Sequence, residues 1–419
     1  VIARRDFLKL LAAGVAVGAA PNLAWANQPK GRVVIIGGGY AGATAAKYLR
    51  MWGGNRLDIV LVEKSPAFIS CPLSNLVLGG SKTIDELTFG FSGLDKYGIR
   101  RVQQEAAAID PELRTVALSN GETLAYDRLI IAPGIDFIWE KLPMLESATA
   151  QQAVPHAWKA GEQTVNLRRQ LEAMPDGGAF VMTIPKAPFR CPPGPYERAS
   201  QVAFYFKQYK PRSKVIVLDE NPEIVSKKGL FTRTWADMYP GLVDYRPNNA
   251  LIEIDVATRN VKTEFETVKA DVLNVIPPQR AGKLAQGLSM ANIDRRWCEV
   301  DFLTYESRVV PGVHIIGDAV AAALPKSAHM ATSQAKVCAS AIVSLMAGEA
   351  PDPQPVFANT CYSFVSDTMA MHVANVYRFD ASKQIMVSAE GGGVSDRPSE
   401  QEGSYAQWWA RNIWSDVLK

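Results

Sequence analysis

Residues that ligate metals or attach haem are scarce in this chain. Its 419 residues include only four histidines and five cysteines. His156, His314, His329 and His372 stand apart with no ligand spacing, so they read as hydrogen-bonded structural residues and no metal site is expected. No C-x-x-C-H run occurs, which excludes attachment of a c-type haem to this chain. Charge of one sign is lacking too: 45 Lys and Arg stand against 42 Asp and Glu, for a net charge of +3. That balance argues against nucleic-acid binding and against a polybasic membrane anchor. Beyond the N-terminal segment no apolar run approaches the ~20 residues of a membrane-spanning helix, so no membrane insertion is expected.

The N-terminal segment has its own pattern. Arg4 and Arg5 precede an apolar stretch from Leu10 to Ala20, and Ala24-Trp25-Ala26 supplies the small residues of a cleavage site. Paired arginines ahead of a short apolar run indicate a twin-arginine signal peptide over residues 1–26. That route exports folded proteins, which suits a chain that loads a cofactor first, and the expected location is the periplasm. An odd number of cysteines there leaves at least one without an intrachain partner.

The remaining chain reads as α/β. The run Val33 to Ile36, a glycine turn, a helical stretch from Ala41 to Arg50 and a run from Asp58 to Val62 make one β-α-β unit. A second unit takes Ala179 to Ile184 as strand, Pro195 to Lys210 as helix and Lys214 to Leu218 as strand. Alternating segments at 251–256 and 261–265 predict one hairpin, and 371–379 with 384–388 another. The expected architecture is two doubly wound dinucleotide-binding-type domains, which with the later segments Asp127 to Gly134 and Gly312 to Ala319 resemble the disulfide-reductase-like form, plus a smaller α+β C-terminal domain. The first domain is discontinuous, residues 27–144 and 279–350. The second covers 145–278, and the C-terminal domain, a cover for the cofactor site or an interface, covers 351–419.

Gly37-Gly38-Gly39-Tyr40-Ala41-Gly42 fits G-x-G-x-x-G between a strand and a helix. Gly37, Gly39 and Gly42 permit the tight turn, the approach of a pyrophosphate to backbone amides, and close helix packing. Glu63, about twenty residues on, is placed to hold the adenosine ribose. NAD and FAD share this signature, and two later segments favour FAD. One is Asp127 to Gly134, a strand ending in Pro133-Gly134. The other is Gly312 to Ala319, where Gly317-Asp318 follows a strand and precedes an expected helix, so that Asp318 can hold a ribitol hydroxyl. After the second-unit strand, where another glycine signature would bind a nicotinamide cofactor, the chain instead has Pro185-Lys186-Ala187-Pro188-Phe189-Arg190-Cys191-Pro192-Pro193-Gly194-Pro195. Prolines offer no amide hydrogens to a pyrophosphate, so loss of NAD(P)H binding is expected.

Cys191 lies beside Arg190 and ahead of a helix N-terminus, both of which favour a thiolate and attract an anion such as HS⁻. Glu197, one turn on, is a candidate proton shuttle. Cys361 in Asn359-Thr360-Cys361-Tyr362 is remote in sequence, and spacing alone does not pair it with any other cysteine. Cys298 and Cys338 are expected to pack in the core, as is either of Trp408 and Trp409 taken singly, with a flavin cover or a subunit contact as the other reading.

The run from Ala187 to Ser200, Asn359-Thr360-Cys361-Tyr362, Pro155 to Gly161 and Ile276 to Gly282 together resemble the flavoprotein subunit of flavocytochrome c sulfide dehydrogenase. That resemblance implies a redox disulfide between Cys191 and Cys361 above the flavin, FAD attached through Cys71 in Ser70-Cys71-Pro72-Leu73, and a separate c-type cytochrome subunit in a heterodimer. It implies oxidation of sulfide to sulfur or polysulfide, with electrons passed through FAD to haem c on the partner. Two other functions stay open at this level. One is a sulfide:quinone oxidoreductase, whose amphipathic anchor could only be the tail Gln407 to Trp414; the other is a non-catalytic flavin-bound electron relay with structural cysteines.

Overall fold

The computed structural model describes residues 31–419; the expected signal peptide over 1–26 lies outside them. Strand β1 (Gly31–Ile36), helix α1 (Tyr40–Gly53) and strand β2 (Leu57–Val62) open the fold. β3 (Arg100–Val102) and β4 (Arg128–Ile131) extend the same parallel sheet. Both faces of this sheet are covered, which is why β1 reads as an unbroken Val/Ile run with Val33, Val34 and Ile35 fully buried.

The chain then builds a second body. β5 (Ala179–Ile184), α2 (Gly194–Tyr209), β6 (Lys214–Asp219), α3 (Lys228–Met238), β7 (Val243–Arg246) and β8 (Val272–Val275) follow in order. All four strands are parallel, in the order β7-β6-β5-β8. The segments 251–255 and 260–263 pair as the expected antiparallel hairpin, with a third strand at 267–269.

β9 (Val313–Ile315) returns to the first sheet, completing the order β9-β4-β1-β2-β3. The passages out of and back to the first body run side by side, Ile135–Phe137 antiparallel to Gln279–Ala281. Helix α4 (Ala328–Ala347) then packs on α1, whose buried residues include Ala41, Ala45 and Ala46 and so permit close approach. Sequence placed a helix directly after Asp318. The structure has a single 3₁₀ turn at Gly317–Ala319 there, and α4 begins only behind its Ser327 cap, whose hydroxyl accepts from Met330 N at 3.1 Å.

The C-terminal part is larger than a hairpin. β10 (Val356–Phe364), β11 (Ala370–Asp380) and β12 (Ile385–Val394) form one antiparallel sheet, and α5 (Glu400–Leu418) closes the chain. β10 is the strand that alternation missed. Its middle runs Asn359-Thr360-Cys361-Tyr362-Ser363, a largely polar stretch, and Thr360, Cys361 and Tyr362 line a cavity rather than a greasy core.

Candidate active site

The glycine turn meets three distinct steric demands. Gly37 sits at φ +98°, where a side chain would also meet the Ala132 carbonyl oxygen at 2.4 Å. A Cβ on Gly42 would approach the Gly37 oxygen to 1.8 Å, so only glycine lets α1 lie this close to β1. At Gly39 a Cβ would meet nothing, because the residue faces open cavity at the uncapped N-terminus of α1. Those free amides and the helix dipole favour a pyrophosphate there. Glu63, just after β2, accepts from Gly38 N at 2.5 Å and Ser65 N at 2.7 Å, which aims its carboxylate along the cavity rim.

A cavity of about 570 Å³ runs from this turn across the sheet ends. Of the residues singled out in sequence, Gly39, Glu63, Cys71, Gly134, Cys191, Glu197, Gly317, Asp318 and Cys361 all line it, while Gly37 and Gly42 shape the turn behind. Gly134 and Gly317 both hold positive φ, +61° and +82°. Burial holds the Asp318 carboxyl above the usual range against the opposing charges of Arg190 and Lys326. Its Oδ1 and the Trp158 indole N–H find no partner among the described residues, and both belong to residues on the cavity wall. An acceptor at Asp318, a donor at Trp158 and the amides of α1 make a set that fits a flavin dinucleotide.

The second body does not present such a cradle. Asp219, at the end of β6 where a ribose-binding acid would sit, already accepts from Tyr196 at 2.8 Å, Tyr245 at 2.9 Å and Asn221 Nδ2 at 2.7 Å. The loop after β5 spends its amides internally as well: Ala187 N on Asn221, Arg190 N on Gln279 and Cys191 N on the Lys326 carbonyl.

What this body contributes to the cavity is Cys191. It is held at φ +57° by the proline-rich loop, and a Cβ on Gly194 would lie 2.9 Å from its sulfur, so the glycine makes room for the thiol. Cys361 comes from β10, and its sulfur lies 3.5 Å from Asn359 Nδ2. Both cysteines are thiols here. One expectation fails: Cys191 is not biased toward thiolate. Burial, then Cys361 and Glu197, raise its pKa well above the ordinary thiol value and outweigh Arg190 and Lys227. Cys361 is raised too, by burial, but Lys227, Asn359 and Ser327 oppose the rise.

Glu197 is 8% exposed, and its two oxygens accept from Phe364 N at 2.8 Å and Asn75 Nδ2 at 2.9 Å. Burial raises its pKa against these bonds and against Lys227 and Arg198. Asn75 also donates to the Gly194 carbonyl and accepts from buried Arg198, tying the Cys71 loop to α2. Cys71 itself lines the cavity on that loop, next to Ser70, which bonds Tyr40 and Trp414.

Sequence reasoning missed Lys227 here, and the structure adds to the readings of His329 and Trp408. Lys227, the 9%-exposed residue before α3, donates to the Cys361 carbonyl at 3.1 Å and Ser363 Oγ at 2.8 Å. His329, read as structural, lines the cavity; it accepts from Thr360 N at 3.0 Å and faces Trp409. Trp408 is 61% exposed rather than in the core, and with Tyr405 it lines a second groove that shares His329, Tyr362 and Trp409 with the main cavity. Cys298 and Cys338 are fully buried. Among the described residues no group of His, Cys, Asp and Glu could hold a metal, and no helix is long and apolar enough to cross a membrane.

Known proteins share both the fold and the segments that build this cavity. The pyridine nucleotide-disulphide oxidoreductase model matches residues 31–171. The models for the central part of the sulfide dehydrogenase [flavocytochrome c] flavoprotein chain and for the flavocytochrome c sulphide dehydrogenase flavin-binding part match 164–277 and 353–418. A short flavoprotein chain of sulfide dehydrogenase [flavocytochrome c] from Chlorobaculum thiosulfatiphilum is 50% identical over 46 residues, 11% of this chain and 94% of that one. The mitochondrial sulfide:quinone oxidoreductase of Dictyostelium discoideum is 24% identical over 324 residues, 75% of this chain and 70% of that one. The fold matches the X-ray structure of the Aquifex aeolicus sulfide:quinone oxidoreductase with a TM-score of 0.74 at 18% identity, covering 92% of this chain and 91% of that one. On these matches, and with a flavin cradle facing two cysteines, the chain belongs to the sulfide-oxidising flavoprotein family.

Proposed function

We propose that this chain is the flavoprotein subunit of a sulfide:cytochrome c oxidoreductase. The observation that carries the reading is that Cys191 and Cys361, from two different bodies of the fold, stand on the walls of the cavity that fits the flavin. In the oxidised enzyme they are joined as a disulfide. HS⁻ adds to one sulfur, the S–S bond breaks, and the other sulfur leaves as a thiolate with the bonding pair. Bound FAD supplies a two-electron acceptor able to release its electrons one at a time. The net change removes two electrons and one proton from each HS⁻ and leaves sulfur in the zero oxidation state. Glu197, whose pKa is raised by burial, takes the proton at its carboxylate.

Anaerobic titration tests this reading. Sulfide should bleach the flavin of the wild-type protein and fail to do so in Cys191→Ser and Cys361→Ser; unchanged bleaching in both would remove the cysteines from the chemistry. We further propose that Cys71, on the cavity wall, carries the flavin as a thioether, so that acid precipitation retains the colour in the pellet and Cys71→Ser releases it. The acceptor is proposed to be a c-type cytochrome on a separate subunit, with the complex exported to the periplasm. The two family models over 164–277 and 353–418, both of flavocytochrome c sulfide dehydrogenase, support the cytochrome acceptor.

A quinone acceptor is the second reading, favoured by the sulfide:quinone oxidoreductase relatives. Against it, Ala406, Ala410, Ile413 and Val417 of α5 are buried on the protein body, which leaves chiefly Tyr405 and Trp408 of that helix to meet a lipid surface. Reduction of a co-purifying haem subunit by sulfide supports the cytochrome; turnover with a soluble quinone and no haem subunit supports the quinone.

A further inference from the structure

Among the described residues a side-chain donor reaches only one of the two active-site sulfurs, and an ammonium is anchored on the same residue. Asn359 Nδ2 lies 3.5 Å from the Cys361 sulfur. The Lys227 ammonium is anchored on the Cys361 carbonyl and Ser363 Oγ, with a third, longer contact at 3.4 Å to the Met371 carbonyl. Cys191 has its backbone N–H bonded to the Lys326 carbonyl, and no donor to its sulfur is present among the described residues. The Lys227 backbone is held at φ +57° before α3, with its carbonyl accepting from Phe231 N at 3.0 Å. Its stem therefore leaves the second body and ends inside the C-terminal sheet. A buried ammonium must be compensated, and the groups facing it are Cys361, Glu197, Cys191 and Glu402, the last bonded to His372. Of these, Cys361 is the one whose residue the ammonium also touches.

Resting on the sulfide reading above, we infer that Lys227 is a positioning residue that makes Cys361 the sulfur that carries negative charge when the disulfide opens. The sulfur of HS⁻ bonds to Cys191 Sγ, the Cys191–Cys361 bond breaks, and its electron pair remains on Cys361 Sγ as a thiolate beside the ammonium. The product is a persulfide, Cys191–S–SH, whose proton is the one that HS⁻ brought. The attacked and leaving sulfurs are thus distinguished by a charge supplied from the second body. This gives that body a part in the chemistry although its own cleft does not fit a dinucleotide. Burial lowers the Lys227 pKa to about 8, so the charge is present below that pH and fades above it.

Alkylation of the reduced, flavin-loaded protein with iodoacetamide across pH, read separately at Cys191 and Cys361 by peptide mass, tests this role. In wild type, Cys361 is expected to react at lower pH than Cys191. Lys227→Met should move the Cys361 profile up by about one unit, hence about tenfold slower alkylation at neutral pH, and move Cys191 in the same direction by less. Lys227→Arg should retain the wild-type profile. If Lys227→Met does not fold, Lys227→Gln keeps a hydrogen-bonding side chain without the charge and should show the same shift. A Cys361 profile unchanged in the neutral variants, or a shift confined to Cys191, overturns the inference. A shift at Cys361 in a protein whose flavin sulfide cannot bleach supports this role for Lys227 and removes the sulfide reading instead.

Discussion

A single buried histidine shows how residue-level environment sets the behaviour of the site region. His156 is 7% exposed, and burial, followed by the charges of Lys159, Arg198 and Arg190, pushes its pKa down to about 3. Its Nδ1 accepts from Trp158 N at 2.9 Å and its carbonyl accepts from Arg198, so the neutral ring and its backbone hold two residues of the cavity wall. The unfolded chain binds a proton at this position below about 6.5, whereas the folded one does not until about 3. Stability is therefore full above pH 6.5 and falls as the pH drops from there toward 3, by about 2–3 kcal/mol at pH 4.5 from this group. Thermal melts at pH 7 and 4.5 should show a smaller acid loss for His156→Gln than for wild type. His314, pushed down to about 4 by burial, adds to the remaining slope in both proteins.

At the level of elements, the parts legible in sequence were those whose residues obey one rule at a time. β1, β5 and β6 are built on predominantly apolar runs, and the structure places them within one residue or two of their expected bounds. β10 escaped because Cys361 and its neighbours serve the cavity, and that demand erased the alternation that marks a strand. Lys227 escaped for a related reason: nothing local in the pair Lys227-Lys228 before a helix marks the first as the one whose ammonium ends buried beside a residue far along the chain. α5 was legible in principle. Ser399 and Glu402 have capping-box spacing, the Ser399 hydroxyl accepts from Glu402 N at 3.1 Å, and Ala406, Ala410, Ile413 and Val417 follow at helical spacing. The helix is seated by Gly403, where an added Cβ would lie 1.7 Å from the Thr368 carbonyl oxygen. Gly403→Ala should force α5 off the sheet, loosening Trp409 at the cavity. Tryptophan fluorescence should shift to the red and flavin affinity should fall at least several-fold; unchanged spectra and affinity would show that the loop at Thr368 yields instead.

On the scale of the whole molecule, the proposed redox pair would add a covalent link between bodies that meet through packing and hydrogen bonds, among them Lys227 to Ser363 and Phe364 to Glu197. Cys191 precedes α2 of the second body and Cys361 lies in the C-terminal sheet, so their bond would close a loop of well over a hundred residues. Closing a loop of ~100 residues restricts the unfolded chain by about 4–5 kcal/mol in the entropic account. The oxidised protein should melt several degrees above the dithiol form, and the difference should vanish in Cys361→Ser. Equal melting of both forms would mean that the pair does not close in the folded protein.

The antiparallel ribbon of Ile135–Phe137 and Gln279–Ala281 brings the two ends of the inserted body next to each other. A segment whose entrance and exit adjoin can be exchanged as a cassette without rethreading the flavin sheet. Ancestral chains could thus trade one guest module for another, keeping the host fold while changing which side chains are delivered to the redox centre.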